Sequence, residues 1–119
     1  MEELISRIGE KAGVPHEAAR QAVSVFVSYL DRSAPRERMA DVYAAVPGVE
    51  TLVVKQKGGL FGFLSNGLMS VYSQLSAAGF SSQQMQWAGE ELLAFAREKA
   101  GHEAVDEIIA SVPQLRQLF

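Results

Sequence analysis

The chain has 119 residues, 48% hydrophobic and 21% charged, which suffices for one modest core but not for two independent ones, so a single domain over 1–119 is expected. A formal net charge of −3, from 11 basic and 14 acidic residues, provides no overall positive field and disfavours general nucleic-acid binding. The lack of cysteine excludes disulfides, cysteine-ligated zinc and a thiol nucleophile.

In chain order, the first predicted helix covers about 2–11 and ends at Ala12-Gly13, where glycine supplies the left-handed closing conformation. The second covers about 16–33, opened by Pro15, with Ala22, Phe26 and Tyr29 at the four-and-three spacing of an amphipathic stripe. Pro35 breaks the chain before a third helix over about 36–45, which Val46-Pro47 closes because a residue before proline resists helical geometry. A short apolar piece, 47–54, follows. Then comes GGLFGFLSNG, 58–67, with Leu60, Phe61, Phe63 and Leu64 among glycines and no charge.

Beyond that link the same order returns, with helices expected at about 67–77, 82–99 and 102–111 and a last short piece at 113–119. An offset of 66 residues aligns the two series without a gap, matching Ala12 with Ala78, Gly13 with Gly79, Ala22 with Ala88, Val46 with Val112 and Pro47 with Pro113. A one-residue slip at the Gly13 turn brings Leu4, Ile5 and Ile8 onto Val71, Tyr72 and Leu75. The expected fold is therefore an all-α, compact helical domain of two tandem copies of one unit, repeat one 1–57 and repeat two 68–119, joined by the Gly/Phe-rich link 58–67. A unit of about 50 residues alone buries too small a core, which gives the pairing its physical reason.

The stretch AGVPHEAARQAVSVFVSYLDRSAPRERMADVYAAVPGVETLV, the glycine-rich apolar link and QLSAAGFSSQQMQWAGEELLAFAREKAGHEAVDEIIASVP together resemble the bacterial proteins grouped as the VcgC/VcgE family, a domain of unknown function. The resemblance implies a helical fold and brings no activity with it.

Signals for chemistry are weak. His16 and His102 each lie at a helix start beside a glutamate, at unmatched repeat positions, and read as solvated. Gly62, Ser65 and Gly67 miss the nucleophile-elbow spacing by one residue, and the glycines of the link do not end in Gly-Lys-Ser/Thr. Glu90–Glu91 and Asp106–Glu107 point in different directions on a helix and read as solvated faces. Arg32, Arg36 and Arg38 are interleaved with acids and suit helix termini. No enzyme activity and no catalytic, cofactor-binding or metal site is expected.

What remains is a candidate interaction surface of Lys55, Lys57, the link residues Leu60, Phe61, Phe63 and Leu64, and Trp87. The four link residues are expected first to fold down across the seam between the copies, the glycines permitting the sharp turns. Trp87, whose counterpart is Gln21 and which lies off the shared apolar face, either fills that seam, the blander reading, or sits on an outside patch where a partner docks. Val25 and Val27, opposite Glu91 and Leu93 in the second copy, widen the first copy's apolar surface and suggest a docking or dimer face there. The leading expectation is a non-enzymatic helical interaction module, with itself as a homodimer or another protein as partner. An alternative is a peripheral membrane protein, because GLFGFLSNG is similar to the glycine-and-phenylalanine sequence of viral fusion peptides and two lysines precede it. A small-molecule site or enzyme with an inter-repeat pocket is a further alternative. No basic-then-apolar leader precedes Glu2 and Glu3, and no apolar run reaches the ~20 residues of a membrane span; the expected location is cytoplasmic, a removed leader aside.

Overall fold

The computed structural model describes residues 2–53 and 68–112, and among these there are six α-helices, one 3-10 turn and no strand. The fold is all-helical, as expected. The link 58–67, the lysines Lys55 and Lys57, and the last piece 113–119 lie outside the described residues.

Helix α1, Glu2–Ala12, buries Leu4, Ile5, Ile8 and Ala12, one stripe at helical spacing. It closes on Gly13 at φ 69°, and the Val14 amide donates to the Gly9 carbonyl at 3.0 Å, the six-residue loop of a Schellman cap. Sixty-six residues later Gly79 takes φ 98° and the Phe80 amide donates to the Leu75 carbonyl at 3.0 Å, closing α4, Leu68–Ala77. Helix α2, His16–Ser33, starts after Pro15, and helix α5, Ser82–Ala100, starts after Ser81. Ser81 and Gln84 form a reciprocal capping box, which satisfies two otherwise unpaired amides at the helix start. Helices α3, Arg36–Ala45, and α6, His102–Ser111, both end on a valine with nearly the same backbone: Val46 at φ −122°, ψ 80° and Val112 at φ −125°, ψ 79°. Each of these valines precedes a proline, and the extended backbone that a following proline favours stops the helix there.

The expected piece at 47–54 is a single 3-10 turn, Val49–Leu52, entered through Gly48 at φ 93°. Its end is fastened to α2, where the Ser24 hydroxyl donates to the Leu52 carbonyl at 2.6 Å. Val49, 1% exposed, is driven into the core by this turn.

Helix α2 runs through the middle of the molecule, packed by α1, α3, α4, α5 and the 3-10 turn. From Ala22 to Leu30 every residue is buried except Ser24, which is half-buried. The expected docking face at Val25 and Val27 is therefore corrected: they are 6% and 2% exposed and belong to the core. A helix that is apolar nearly all round has to be enclosed, and this one is enclosed by its own chain. Its own Val23 and Phe26 meet Leu4, Ile5 and Ile8 of α1 and Val71 and Leu75 of α4 in one core cluster, all at 1% exposure or less. Burial of each such side chain contributes about 1.5–3 kcal/mol.

The helices interleave between the two ends of the chain. Helix α1 packs most extensively on α5 rather than on its neighbour α2, and α4 packs on α2. Helix α3 reaches across to both α5 and α6. A satellite cluster of Leu93, Ala96 and Val105, with Ile109 against it, ties α5 to α6.

Candidate interaction surface

Trp87, the chain's one tryptophan, lies in the second turn of α5 and is half-buried. Helix geometry explains why it is not enclosed. The buried face of α5 is formed by Met85, Ala88, Gly89, Leu92, Leu93, Phe95 and Ala96. Advancing about 100° per residue puts Trp87 and Ala94, seven apart, on the opposite side. Gln83, Trp87, Glu90, Ala94, Arg97 and Gly101 follow one another at spacings of four and three and form a continuous outward stripe. All six are exposed or half-buried. Trp87 is not part of the core cluster. Its counterpart Gln21 is exposed on α2.

Beside this stripe runs the seam with α1, whose outer edge is lined by charged residues. Arg7 of α1 donates from Nε to Glu91 and from its Nη1 to Glu98, each at 2.6 Å. Its guanidinium carbon sits 5.2 Å from the centre of the Phe95 ring, and the Lys99 ammonium lies 5.5 Å from the same ring. Hydrogen bonds to Glu98 and then Glu91 push the Arg7 guanidinium above its ordinary range, keeping it charged throughout any accessible pH. At the other end of the seam the Gln84 amide donates to the Ala12 carbonyl at 3.2 Å, so a residue of the α5 capping box also fastens the end of α1.

The Glu91 carboxylate is thus not solvated as expected. Its side chain is 14% exposed and paired with Arg7, while its neighbour Glu90 is exposed and receives only a long contact from Gln86 at 3.5 Å. Asp106 and Glu107 do face solvent, and each meets an arginine: Asp106 pairs with Arg97 at 3.6 Å, and Glu107 with Arg38, which also holds Asp41 at 2.9 Å. Arg38 therefore bridges α3 to α6 and serves more than a helix terminus. These pairings span up to 91 positions, and nothing local in the sequence marks them. The two histidines are the exposed first residues of α2 and α6, with His16 Nε2 3.2 Å from Glu2.

Three shallow clefts are lined by described residues. The roomiest of the three, about 480 Å³, lies where α3, α5 and α6 meet, floored by Ala44, Ala45, Ala100 and Ala104 and rimmed by Arg38, Asp41, Lys99 and Glu103. A second, about 340 Å³, sits on the α1–α5 seam among Arg7, Glu10, Lys11 and Glu91. A third, about 330 Å³, is bounded by Ile5, Gly9, Val14 and His16. Each mixes charges of both signs or small apolar walls, with no convergent set of groups aimed at one atom. Among the described residues no helix is long and apolar enough to cross a membrane, and no cluster of three or more His, Asp or Glu is arranged to hold a metal ion.

Of the expected surface residues, the structure therefore places Trp87 alone, and places it outward beside the α1–α5 seam. Lys55, Lys57, Leu60, Phe61, Phe63 and Leu64 lie outside the described residues. No family model, curated protein or solved structure matches the chain.

Proposed function

We propose that this protein is a non-enzymatic helical interaction module that associates with itself, using an outward surface centred on Trp87. The observation that carries the reading is the position of Trp87: a large, rigid aromatic residue held on the side of α5 opposite the core and left half-exposed. Tryptophan is enriched at the energetic centres of protein interfaces, and its two side-chain torsions make it inexpensive to immobilise.

The same reading treats the chain as two tandem copies of one unit. Its support is the agreement of three helix pairs at the 66-residue offset, the shared Schellman turns at Gly13 and Gly79, and the twin valine ends of α3 and α6. Duplication would provide the scaffold, and divergence at Gln21 and Trp87 would provide the surface.

Light scattering coupled to size exclusion, run over a dilution series with Trp87 fluorescence recorded in parallel, tests the proposal. A concentration-dependent dimer whose indole emission shifts to the blue as it forms is the expected result. A strict monomer at the highest attainable concentration overturns it.

A further inference from the structure

We infer that the self-association surface is the outward stripe of α5 and that its occupant is the same stripe of a second copy, crossed antiparallel about a twofold axis beside Ala94. The inference rests on the self-association proposed above and adds to it the face, the partner's orientation and the residues that decide both.

Three observations combine. First, the stripe has heptad-like spacing, four and three alternating from Gln83 to Gly101, which keeps one face of a helix in register with another helix over several turns. Second, Ala94 stands midway between Trp87 and Gly101, so about an axis there the two backbones approach closely and the second copy's Gly101 leaves space for the Trp87 indole. Third, the charges on the stripe are self-complementary in one orientation only. Glu90 and Arg97 lie one on each side of the axis position. Antiparallel crossing sets Glu90 opposite the second copy's Arg97, twice by symmetry; parallel crossing sets Glu90 against Glu90 and Arg97 against Arg97. Like charges face to face oppose association, so the parallel arrangement is excluded by its own surface.

Both charges are available for such a contact. Glu90 makes no ion pair among the described residues, and Arg97 has only its 3.6 Å pairing with Asp106, whose side chain is 64% exposed. The Ala-floored cleft among α3, α5 and α6 lies off the stripe and is not used.

The test uses the full chain and two charge reversals, Glu90→Arg and Arg97→Glu, each first checked for unchanged helical circular dichroism. Alone, each variant brings like charges together at both contacts and is expected to weaken the dimer at least about tenfold, the loss associated with repulsive pairs at an interface. Mixed in equal amounts, the two variants complement each other at both contacts and regain dimerisation as a heterodimer, an outcome that misfolding cannot produce. Ala94→Lys, which places a long charged side chain on the axis, gives a second and independent loss. Trp87→Ala is expected to weaken the dimer by roughly 30-fold, as removal of an interface hot spot does. Single reversals that leave the wild-type dimer intact, or a mixture that stays monomeric, overturn the α5 stripe while leaving self-association in place. A wild-type chain that is monomeric throughout overturns both.

Discussion

Helices α2 and α5 occupy the same position in the two series of helices, carry nearly the same length and start 66 residues apart. From Ala22 to Leu30 helix α2 is enclosed on nearly every side, whereas α5 keeps one outward face along its length. The alternation along each sequence records the difference. In α2 the run Val25-Phe26-Val27 places apolar groups around the helix, while the matching Glu91-Leu92-Leu93 begins with a carboxylate that reaches Arg7 on α1. Two helices at matching places in the chain are thus packed differently: one lies in the core, and the other keeps a face toward solvent. Place in the series does not reveal which is which; packing decides it.

The largest test of that contrast exchanges matching residues. Val25→Glu places a carboxylate at a position 6% exposed within the hydrophobic core cluster. It should cost about 3–5 kcal/mol, the range for an uncompensated buried charge, and a urea melt would show a steep loss of midpoint. The reciprocal Glu91→Val removes the more buried arm of the Arg7 clamp and, at a part-buried pair, should cost about 1 kcal/mol or less. Equal losses from the two changes would contradict the division between enclosed and outward helices.

The junctions that follow the two helices differ as well. Pro35 enters α3 at φ −59°, but its counterpart Gly101 stands at φ 95°, ψ 159°, a region open essentially to glycine alone. That sharper reversal lets α6 fold back on α5 more closely than α3 does on α2, and it brings Leu93, Ala96 and Val105 together. Gly101→Ala should cost about 1–3 kcal/mol through backbone strain, although a Cβ there would meet no neighbour. A measured loss near zero would mean that the junction relaxes freely.

Where α6 is tied by apolar contact, α3 is tied by a hydrogen bond: the Tyr43 hydroxyl donates to Asp31 at 2.6 Å, whereas the matching position in the second half is Ile109. Burial, and then the bond to Asp31, push the Tyr43 phenol well above its ordinary value. Above about pH 10, where a phenol in the unfolded chain ionises, the folded state still holds its proton. The native state then binds more protons than the unfolded one, so stability falls as pH rises from there and is fully present below. Tyr43→Phe should cost about 1 kcal/mol at neutral pH, the net worth of a hydrogen bond, and flatten the alkaline fall. Parallel urea titrations at pH 8 and above would show whether the two curves converge.

The smallest expected effect concerns the residue of greatest functional interest. Trp87→Gln, which gives α5 the residue that α2 carries at position 21, should change monomer stability by no more than about 0.5 kcal/mol, as outward substitutions usually do. Measured at a concentration where the chain is monomeric, a loss several times larger would place the indole in the core rather than on the surface.

The course of the chain was legible in the sequence because its breaks are local. Gly13, Pro15, Pro35, Ser81 and the two Val-Pro pairs act within a turn of where they stand, and the helices at 36–45 and 102–111 end where those residues require. The burial of Val25 and Val27 was not legible in the same way. Helix α2 is surrounded by α1, α3, α4 and α5, and the comparison with Glu91 and Leu93 suggested an extra apolar face on the first copy that this central packing removes. The Glu91–Arg7 contact was invisible for a related reason: it joins residues 84 apart, and charged residues spaced along an amphipathic helix look alike whether they meet water or an arginine. For Trp87, spacing placed it off the Ala88–Leu92–Phe95 stripe but left open whether it fills the seam between the copies or faces outward, because that depends on which helices pack on the other sides of α5.

The pairing of α1 with α5 also sets an order of events during synthesis. Helix α1 leaves the ribosome before α5 does and exposes Leu4, Ile5 and Ile8, yet the helix on which it packs most extensively is encoded some eighty residues downstream. Until α5 emerges, the nascent chain holds a sticky amphipathic segment whose main partner does not yet exist. Closing such a distant contact is the slow part of folding in a protein otherwise rich in fast local turns. Loss of α1 would uncover the side of α5 where Arg7 meets Glu91 and Phe95, so damage in the first helix would be felt in the second half of the chain.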